Sequence, residues 1–373
     1  MELNSAFEIT NKENLLEDAI QLLKELIRLP SFSKDEKKTG DLIEHFFVSK
    51  GITVFRKLNN IWAFNQSFNP NLPTILLNSH HDTVKPNPGY TRDPFVAEIQ
   101  DGRLFGLGSN DAGGSLVSLI AAFLHFHKNK NMAFNLAIAA TGEEEISGSD
   151  GLESILAELG PISFALVGEP TLMQLAVAEK GLMVIDCVAH GKAGHAAREE
   201  GENAIYKAIE DINWMRNFRF PKVSTWLGPV KLSVTMINAG TQHNVVPELC
   251  QFTADIRLNE LYTHDEIIQV IRDHIKSEIK PRSTRLAPSF IPKDHPIVQA
   301  GIKLGRTCYG SPTTSDQALI AAPSLKLGPG DSARSHTADE FIYVNEIREG
   351  IDIYIRMLQQ VLEHHAAPNT TEL

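Results

Sequence analysis

Apolar residues recur along this chain with two different periods. NLLEDAIQLLKELIRLP (14–30) repeats Leu and Ile at helical spacing and stops at Pro30, and DEKKTGDLIEHFFVSKG (35–51) predicts a second helix. Short continuous apolar runs then alternate with helical stretches. TILLN (74–78), FNLAIAA (134–140) and FALVG (164–168) read as buried strands, while GGSLVSLIAAFLHFH (113–127) and DGLESILAELG (150–160) read as helices. This alternation predicts an α/β layer whose central sheet is largely parallel and flanked by helices.

The character changes near residue 178. KGLMVIDCVAH, KLSVTMI and CQFTADIRL predict strands, TRLAPSF (284–290) a weaker one, and ENAIYKAIEDINWMRN and HDEIIQVIRDHIKSE predict helices. The resulting order β-α-β-β-α-β is that of a ferredoxin-like α+β unit. The α/β style then returns, with a helix over HPIVQAGIKLGRTCYG, a strand before GPG, and a final helix from Val344. The expected organisation is a discontinuous catalytic domain, 1–177 and 291–373, carrying an inserted lid or dimerisation domain, 178–290. The tail AAPNTTEL is expected to be disordered.

Composition narrows the function classes. With 42% hydrophobic residues and 22% charged ones, the 373-residue chain can build a sizeable core. A net charge of −11 argues against nucleic acid or an anionic membrane as the partner. No apolar run reaches membrane-spanning length, and the polar, acidic N-terminus lacks a signal-peptide core. Cys187, Cys250 and Cys308 are far apart and form no CxxC, so free, buried thiols in a reducing cytoplasm are expected.

The chemistry gathers where apolar strands end. TILLN runs into SHHDTV with His80 and Asp82, GRLFGLGSNDAGG brings Asp111 to the start of a helix, and FNLAIAA runs into TGEEE with Glu143, Glu144 and Glu145. FALVG runs into Glu169, and SLKLGPGDSARS into His336. In an open α/β sheet ligands bind outside the carboxyl ends of the strands, so these segments converge on one edge. Alone, a Glu triplet is a solvated loop and a single histidine a packing residue; five converging segments point to metal. Two His and three carboxylates suit zinc, with cobalt or manganese as alternatives. With His80, Asp111, Glu145, Glu169 and His336 as ligands and Asp111 as the bridge, three negative charges meet four positive ones. The residue of about +1 would acidify a bound water and polarise a carbonyl. Glu144 would stay free as general base, Glu143 would be solvated or behind the ligands, and Asp82 would accept the second imidazole N–H of His80. His81 is expected to point elsewhere.

SHHDTV, GLGSNDAGG, TGEEE, VGEPT and SHTADE occur in this order across nearly the whole chain. In them the chain resembles the acetylornithine deacetylase / succinyl-diaminopimelate desuccinylase family of di-metal aminoacylases and peptidases. The resemblance implies that His80 and Glu169 hold one ion, that Glu145 and His336 hold the other, and that Asp111 bridges them. It also implies a cis peptide at Asp111–Ala112, with Glu144 as base and proton shuttle. In GKAGHAA it implies an oxyanion role for His195, often supplied by a partner subunit, hence a homodimer. In NAGTQHNVVPELCQFTADIR it implies that Asn244 and Arg257 grip the substrate carboxylate. Two features depart from the pattern: the Asp-x-Lys-Gly motif reads Asp111-Ala112-Gly113-Gly114, and no proline follows His195 closely. The expected activity is hydrolysis of an N-acetylated amino acid, N-acetylornithine or N-acetylcitrulline in arginine biosynthesis. The alternatives are a desuccinylase, a dipeptidase or general aminoacylase, and a non-catalytic binding protein.

Overall fold

The computed structural model describes residues 12–130, 132–198 and 200–364; the C-terminal tail and the first eleven residues lie outside them. The chain divides into two compact units, one of Met1–Val177, Ile291–Tyr309 and Ser315–Leu373, the other of Ala178–Phe290 and Gly310–Thr314.

In the first unit, strands Asn135–Thr141, Thr74–His80, Ile162–Val167 and Ser324–Lys326 lie side by side and parallel. Asn60–Phe64 and then Val54–Lys57 extend the sheet antiparallel beyond Asn135–Thr141. Every residue of Thr74–His80 and of Asn135–Thr141 is buried, which is why these strands read as continuous apolar runs without alternation. Helices Lys12–Ile27, Lys37–Ser49, Gly114–Phe126, Pro296–Lys303 and Val344–His364 accompany the sheet. The core on one face joins Leu76, Ala137, Ala165 and Val167 of the strands to Trp62, Leu152, Ile155 and Leu159. The mixed α/β fold with its mostly parallel sheet is therefore the one expected.

The second unit has the order strand Gly181–His190, helix Ala204–Asn217, strands Lys231–Ala239 and Leu249–Leu258, helix His264–Arg272, strand Glu278–Pro281. The spatial strand order is Lys231–Ala239, Leu249–Leu258, Gly181–His190, Glu278–Pro281, all antiparallel. Gly181–His190 alternates buried and half-buried residues, as a sheet covered on one face requires. Met183, Ile185 and Cys187 pack there with Ala204, Ala208, Ile267 and Ile271 of the two helices.

Three local expectations are corrected. Residues Leu152–Leu159 form a 3-10 run, not an α-helix. The Ser154 hydroxyl bonds back to the Gly151 carbonyl at 2.8 Å, and Lys57 Nζ, from a distant strand, donates to the Ser154 carbonyl at 2.7 Å, so side-chain donors occupy carbonyls of this run. The fourth strand of the second unit is Glu278–Pro281; within TRLAPSF only Ser289–Phe290 is extended and paired, following Pro288. The helix over HPIVQAGIKLGRTCYG ends at Lys303, with Gly305 at φ +80° just beyond, and Cys308–Ser311 is a strand.

Candidate metal centre

The parallel strands end in register. His80 pairs with Thr141, three residues before Glu144, and Asn78 pairs with Val167, two before Glu169. Lys326, which pairs with Val167, leads into the loop that carries His336. Asp111 arrives from the turn that precedes helix Gly114–Phe126, through a cis Asp111–Ala112 peptide. That turn is tightly packed. A Cβ on Gly113 would stand 2.4 Å from the Gly108 carbonyl oxygen and 2.6 Å from Leu23, so the position where the family motif carries Lys accepts no side chain here.

Two triads share Asp111: His80, Asp111 and Glu169, and Asp111, Glu145 and His336, the candidate ligand atoms of each lying within 4.8 Å of one another. The two carboxylate oxygens of Asp111 divide the work. Oδ1 is 3.3 Å from His80 Nε2, and Oδ2 is 3.6 Å from His336 Nε2. Glu169 stands 3.7 Å from His80 Nε2, and Glu145 stands 3.0 Å from His336 Nε2. Glu144 belongs to neither triad but comes within 3.9 Å of His80 Nε2. His80 is 1% exposed, whereas His336 is 54% exposed, so one triad is closed and the other open to water.

This donor set fits divalent cations. The buried Nε2 of His80 lacks a well-directed hydrogen bond although three carboxylates surround it. The carboxylates also repel one another. Burial pushes Glu169 up to about 8, with Asp111 adding to it against the pull of His80. Burial likewise raises Glu144 well above the ordinary range, with Glu169, Asp316 and Glu145 adding to it and only His80 opposing. Burial works against charging His80, but Glu144, Asp111, Asp82 and Glu169 outweigh it and raise its pKa well above the usual value. Hydrogen bonding to Glu145 raises His336 to about 9. Carboxylates forced to hold protons for want of positive charge are what a pair of cations would relieve.

Asp82 does more than face His80. Its carboxylate accepts the Ser33 hydroxyl at 2.7 Å and the backbone N–H groups of Glu144 and Glu145 at 3.1 and 3.2 Å, fixing the turn that carries both. His80 Nδ1 lies 3.0 Å from the Asp82 carbonyl oxygen and 3.4 Å from its carboxylate, so the main chain is its nearer partner. Glu143 turns away from the triads and is buried with its carboxylate against Gly148, which corrects the solvated alternative for it. His81 is also turned away, between Thr39 Oγ1 and the Asn59 carbonyl.

His195, Asn244 and Arg257 lie in the second unit. Gly194–His195 pairs with Val245–Val246, and Asn244 accepts the Ala196 N–H, so His195 and Asn244 share one exposed two-stranded ribbon. His195 Nδ1 accepts the Ala197 N–H at 3.1 Å. Arg257 sits on strand Leu249–Leu258 and grips Asp255 with two nitrogens, at 2.9 and 3.1 Å. Two buried carboxylates of the first unit escaped the sequence reading. Glu340 receives three backbone N–H groups around Asp111, and Asp316 receives the Thr141 hydroxyl at 2.8 Å. Glu340 lies inside SHTADE, a motif that was visible. Cys187 and Cys250 are free and buried as expected, while Cys308 is only half-buried. Among the described residues no helix is long and apolar enough to cross a membrane.

The comparisons with known proteins agree with this architecture. The family model of peptidase family M20/M25/M40 matches residues 76–360. A succinyl-diaminopimelate desuccinylase from Acidiphilium cryptum is 26% identical over 92% of this chain and 98% of its own length. Among solved structures, the aminopeptidase PepT from Bacillus cereus superposes with a TM-score of 0.73 at 21% identity, over 93% of this chain and 98% of that one. The Bacillus subtilis YXEP protein, described as a dinuclear metal binding peptidase from the M20 family, superposes with a TM-score of 0.69 at 15% identity, over 94% and 99%. The chain belongs to peptidase family M20/M25/M40 and is a hydrolase.

Proposed function

We propose that this protein hydrolyses the N-acyl amide of an amino acid at a centre of two divalent ions, zinc by preference and cobalt or manganese as alternatives. The observation that carries the reading is Asp111, whose two oxygens face two different His–Glu pairs while Glu144 stands beside them. His80, Glu169 and Asp111 would hold one ion, and Glu145, His336 and Asp111 the other. When bound, the ions supply Lewis-acid polarisation of the scissile carbonyl and acidify water.

The remaining work falls to side chains. Glu144 takes the proton of the attacking water and returns it to the leaving amine. Asp82 holds Glu144 in place by accepting its backbone N–H. Because His195 accepts an N–H at Nδ1, its neutral ring carries the proton on Nε2, the form that donates a hydrogen bond to an oxyanion. Asn244 and Arg257 bind the substrate carboxylate. We assign His195 to a homodimer built through the second unit, a reading that sedimentation of active enzyme as a monomer at micromolar concentration would overturn.

For the acyl group we take acetyl first, from N-acetylornithine or N-acetylcitrulline, in arginine biosynthesis in the cytoplasm. The desuccinylase relative favours a second reading, removal of succinyl from succinyl-diaminopimelate or succinylornithine, in which Lys192 or Arg198 near His195 would meet the acyl carboxylate. The test is amine release from these four substrates and one dipeptide, with zinc-loaded protein against a chelated control. Metal-dependent turnover of an acetylated member supports the first reading, and turnover of succinylated members alone supports the second. Turnover of the dipeptide alone, or of none, overturns both.

A further inference from the structure

Glu340 is 2% exposed, and its carboxylate is saturated by backbone. Oε2 accepts the Gly108 N–H at 3.0 Å, while Oε1 accepts the Asn110 and Asp111 N–H groups at 2.8 and 3.0 Å. Its own carbonyl accepts the Gly106 N–H at 2.9 Å. One residue thus holds four N–H groups across residues 106–111, the segment that delivers Asp111. The segment has little freedom of its own to substitute for this grip. Gly108 adopts φ +74°, and a Cβ there would stand 2.6 Å from the Thr83 methyl.

Glu340 also follows His336 by four residues, in a loop that is itself clasped. Asn87 Nδ2 donates to the His336 carbonyl at 3.1 Å. The Asp339 carboxylate accepts the Thr91 and Arg92 N–H groups, both at 2.9 Å. His336 and Asp339 both lie at positive φ, +59° and +53°, conformations that non-glycine residues hold only where contacts over-determine them. The loop that presents His336 is therefore tied at one end to the turn that presents Asp111.

We infer that Glu340 is a positioning residue for the metal centre: its carboxylate locks the bridging Asp111 to the His336 loop, so that the Asp111–Glu145–His336 site forms only while this clamp is intact. The inference rests on the two-ion reading above. In its ionised form the carboxylate accepts three N–H donors without offering any of its own, whereas the Gln amide must turn an NH2 group toward one of them. Loss of such a supporting partner lowers metal affinity by about 10–100-fold.

The experiment is a zinc titration of chelator-treated wild type, Glu340→Gln and Glu340→Asp, read by calorimetry, with melting curves of the metal-free proteins alongside. Wild type should bind two equivalents. Glu340→Gln should keep one tight equivalent and lose at least tenfold in affinity for the other, with Glu340→Asp between it and wild type. Zinc affinities in Glu340→Gln that match wild type at both sites overturn the proposal, even if the metal-free variant melts earlier, because that pattern is a purely structural role. If Glu340→Gln does not fold, a wild-type titration for Glu340→Asp overturns the proposal and a weakened second site supports it. Binding of fewer than two equivalents by wild type overturns the two-ion reading itself, and this proposal with it.

Discussion

The strand-end cluster of the first unit and the ion pairs of the second treat charge in opposite ways. In the second, charged side chains meet opposite charges or backbone donors. Arg282 holds Asp186 with two nitrogens at 2.8 Å, Lys222 reaches Glu266 at 2.8 Å, and buried Asp211 accepts the N–H groups of Lys276 and Ser277. Arg282 accordingly holds Asp186 below its ordinary pKa. In the first unit, Asp111, Glu144, Glu145 and Glu169 converge around two histidines, and burial drives Glu144 and Glu169 upward instead. Charge that is paired inside the chain supports the fold. Like charge that is collected and left unbalanced calls for a cation from outside.

The strongest way to break this comparison is to alter a carboxylate of the cluster that touches neither candidate ion set. Glu144→Gln keeps the shape of the side chain and removes its basicity. Turnover should fall by about 10²–10⁴-fold while both zinc equivalents stay bound. Near-wild-type turnover would remove Glu144 from its role as base; loss of zinc would make it a ligand, which its place outside both triads argues against.

The comparison can be sharpened by pH. In the metal-free protein Glu169 sits at about 8 and His336 at about 9, both above their ordinary values of 4.5 and 6.5. Each then binds more protons folded than unfolded. The stability they contribute is complete at low pH and is lost as pH rises through those folded values. Asp111, held below its ordinary value of 3.8, works in the opposite sense, but only in more acidic solution. The melting temperature of chelated protein should therefore fall between about pH 5 and pH 9, and the rise produced by zinc should widen over the same range. A zinc-induced rise that stays flat across it would mean that the cluster is not where protons and metal compete.

Much of the first unit was legible because its strands are buried on both faces. TILLN, FNLAIAA and FALVG have no alternation to misread, and the residue after each run had to emerge at the sheet's edge. The second unit's helices and three of its strands were legible from period alone. Glu278–Pro281 was missed because a four-residue strand beside a helix looks like the helix's polar end. Leu152–Leu159 was misread because Leu and Ile spacing does not distinguish an α-helix from a 3-10 run once Ser154 competes for carbonyls. Glu340 and Asp316 were illegible for a different reason. Glu340 acts on backbone N–H groups and Asp316 on a hydroxyl, 175 to 232 residues away, and no local pattern records so distant a partner. Asp82 was legible as a neighbour of His80, but not as the acceptor for the Glu144 and Glu145 turn.

The smallest expected effect lies on the other side of the comparison. Asp186 and Arg282 make the best-formed ion pair of the second unit, with parallel 2.8 Å bonds, and a reading that equated good geometry with importance would rank it first. Both side chains are about half in water, 42% and 53% exposed. Solvent and salt screen the pair, and ordering two long side chains offsets what attraction remains. Asp186 also keeps the Thr253 hydroxyl as a partner when Arg282 is removed, so no buried group is orphaned. Arg282→Ala should melt too close to wild type to be told apart, bind two zinc equivalents with unchanged affinity, and turn over substrate within about twofold of wild type. A loss of zinc affinity or a collapse in turnover on this substitution would show that charge in the second unit is not self-contained, and the division drawn between the two units would fail.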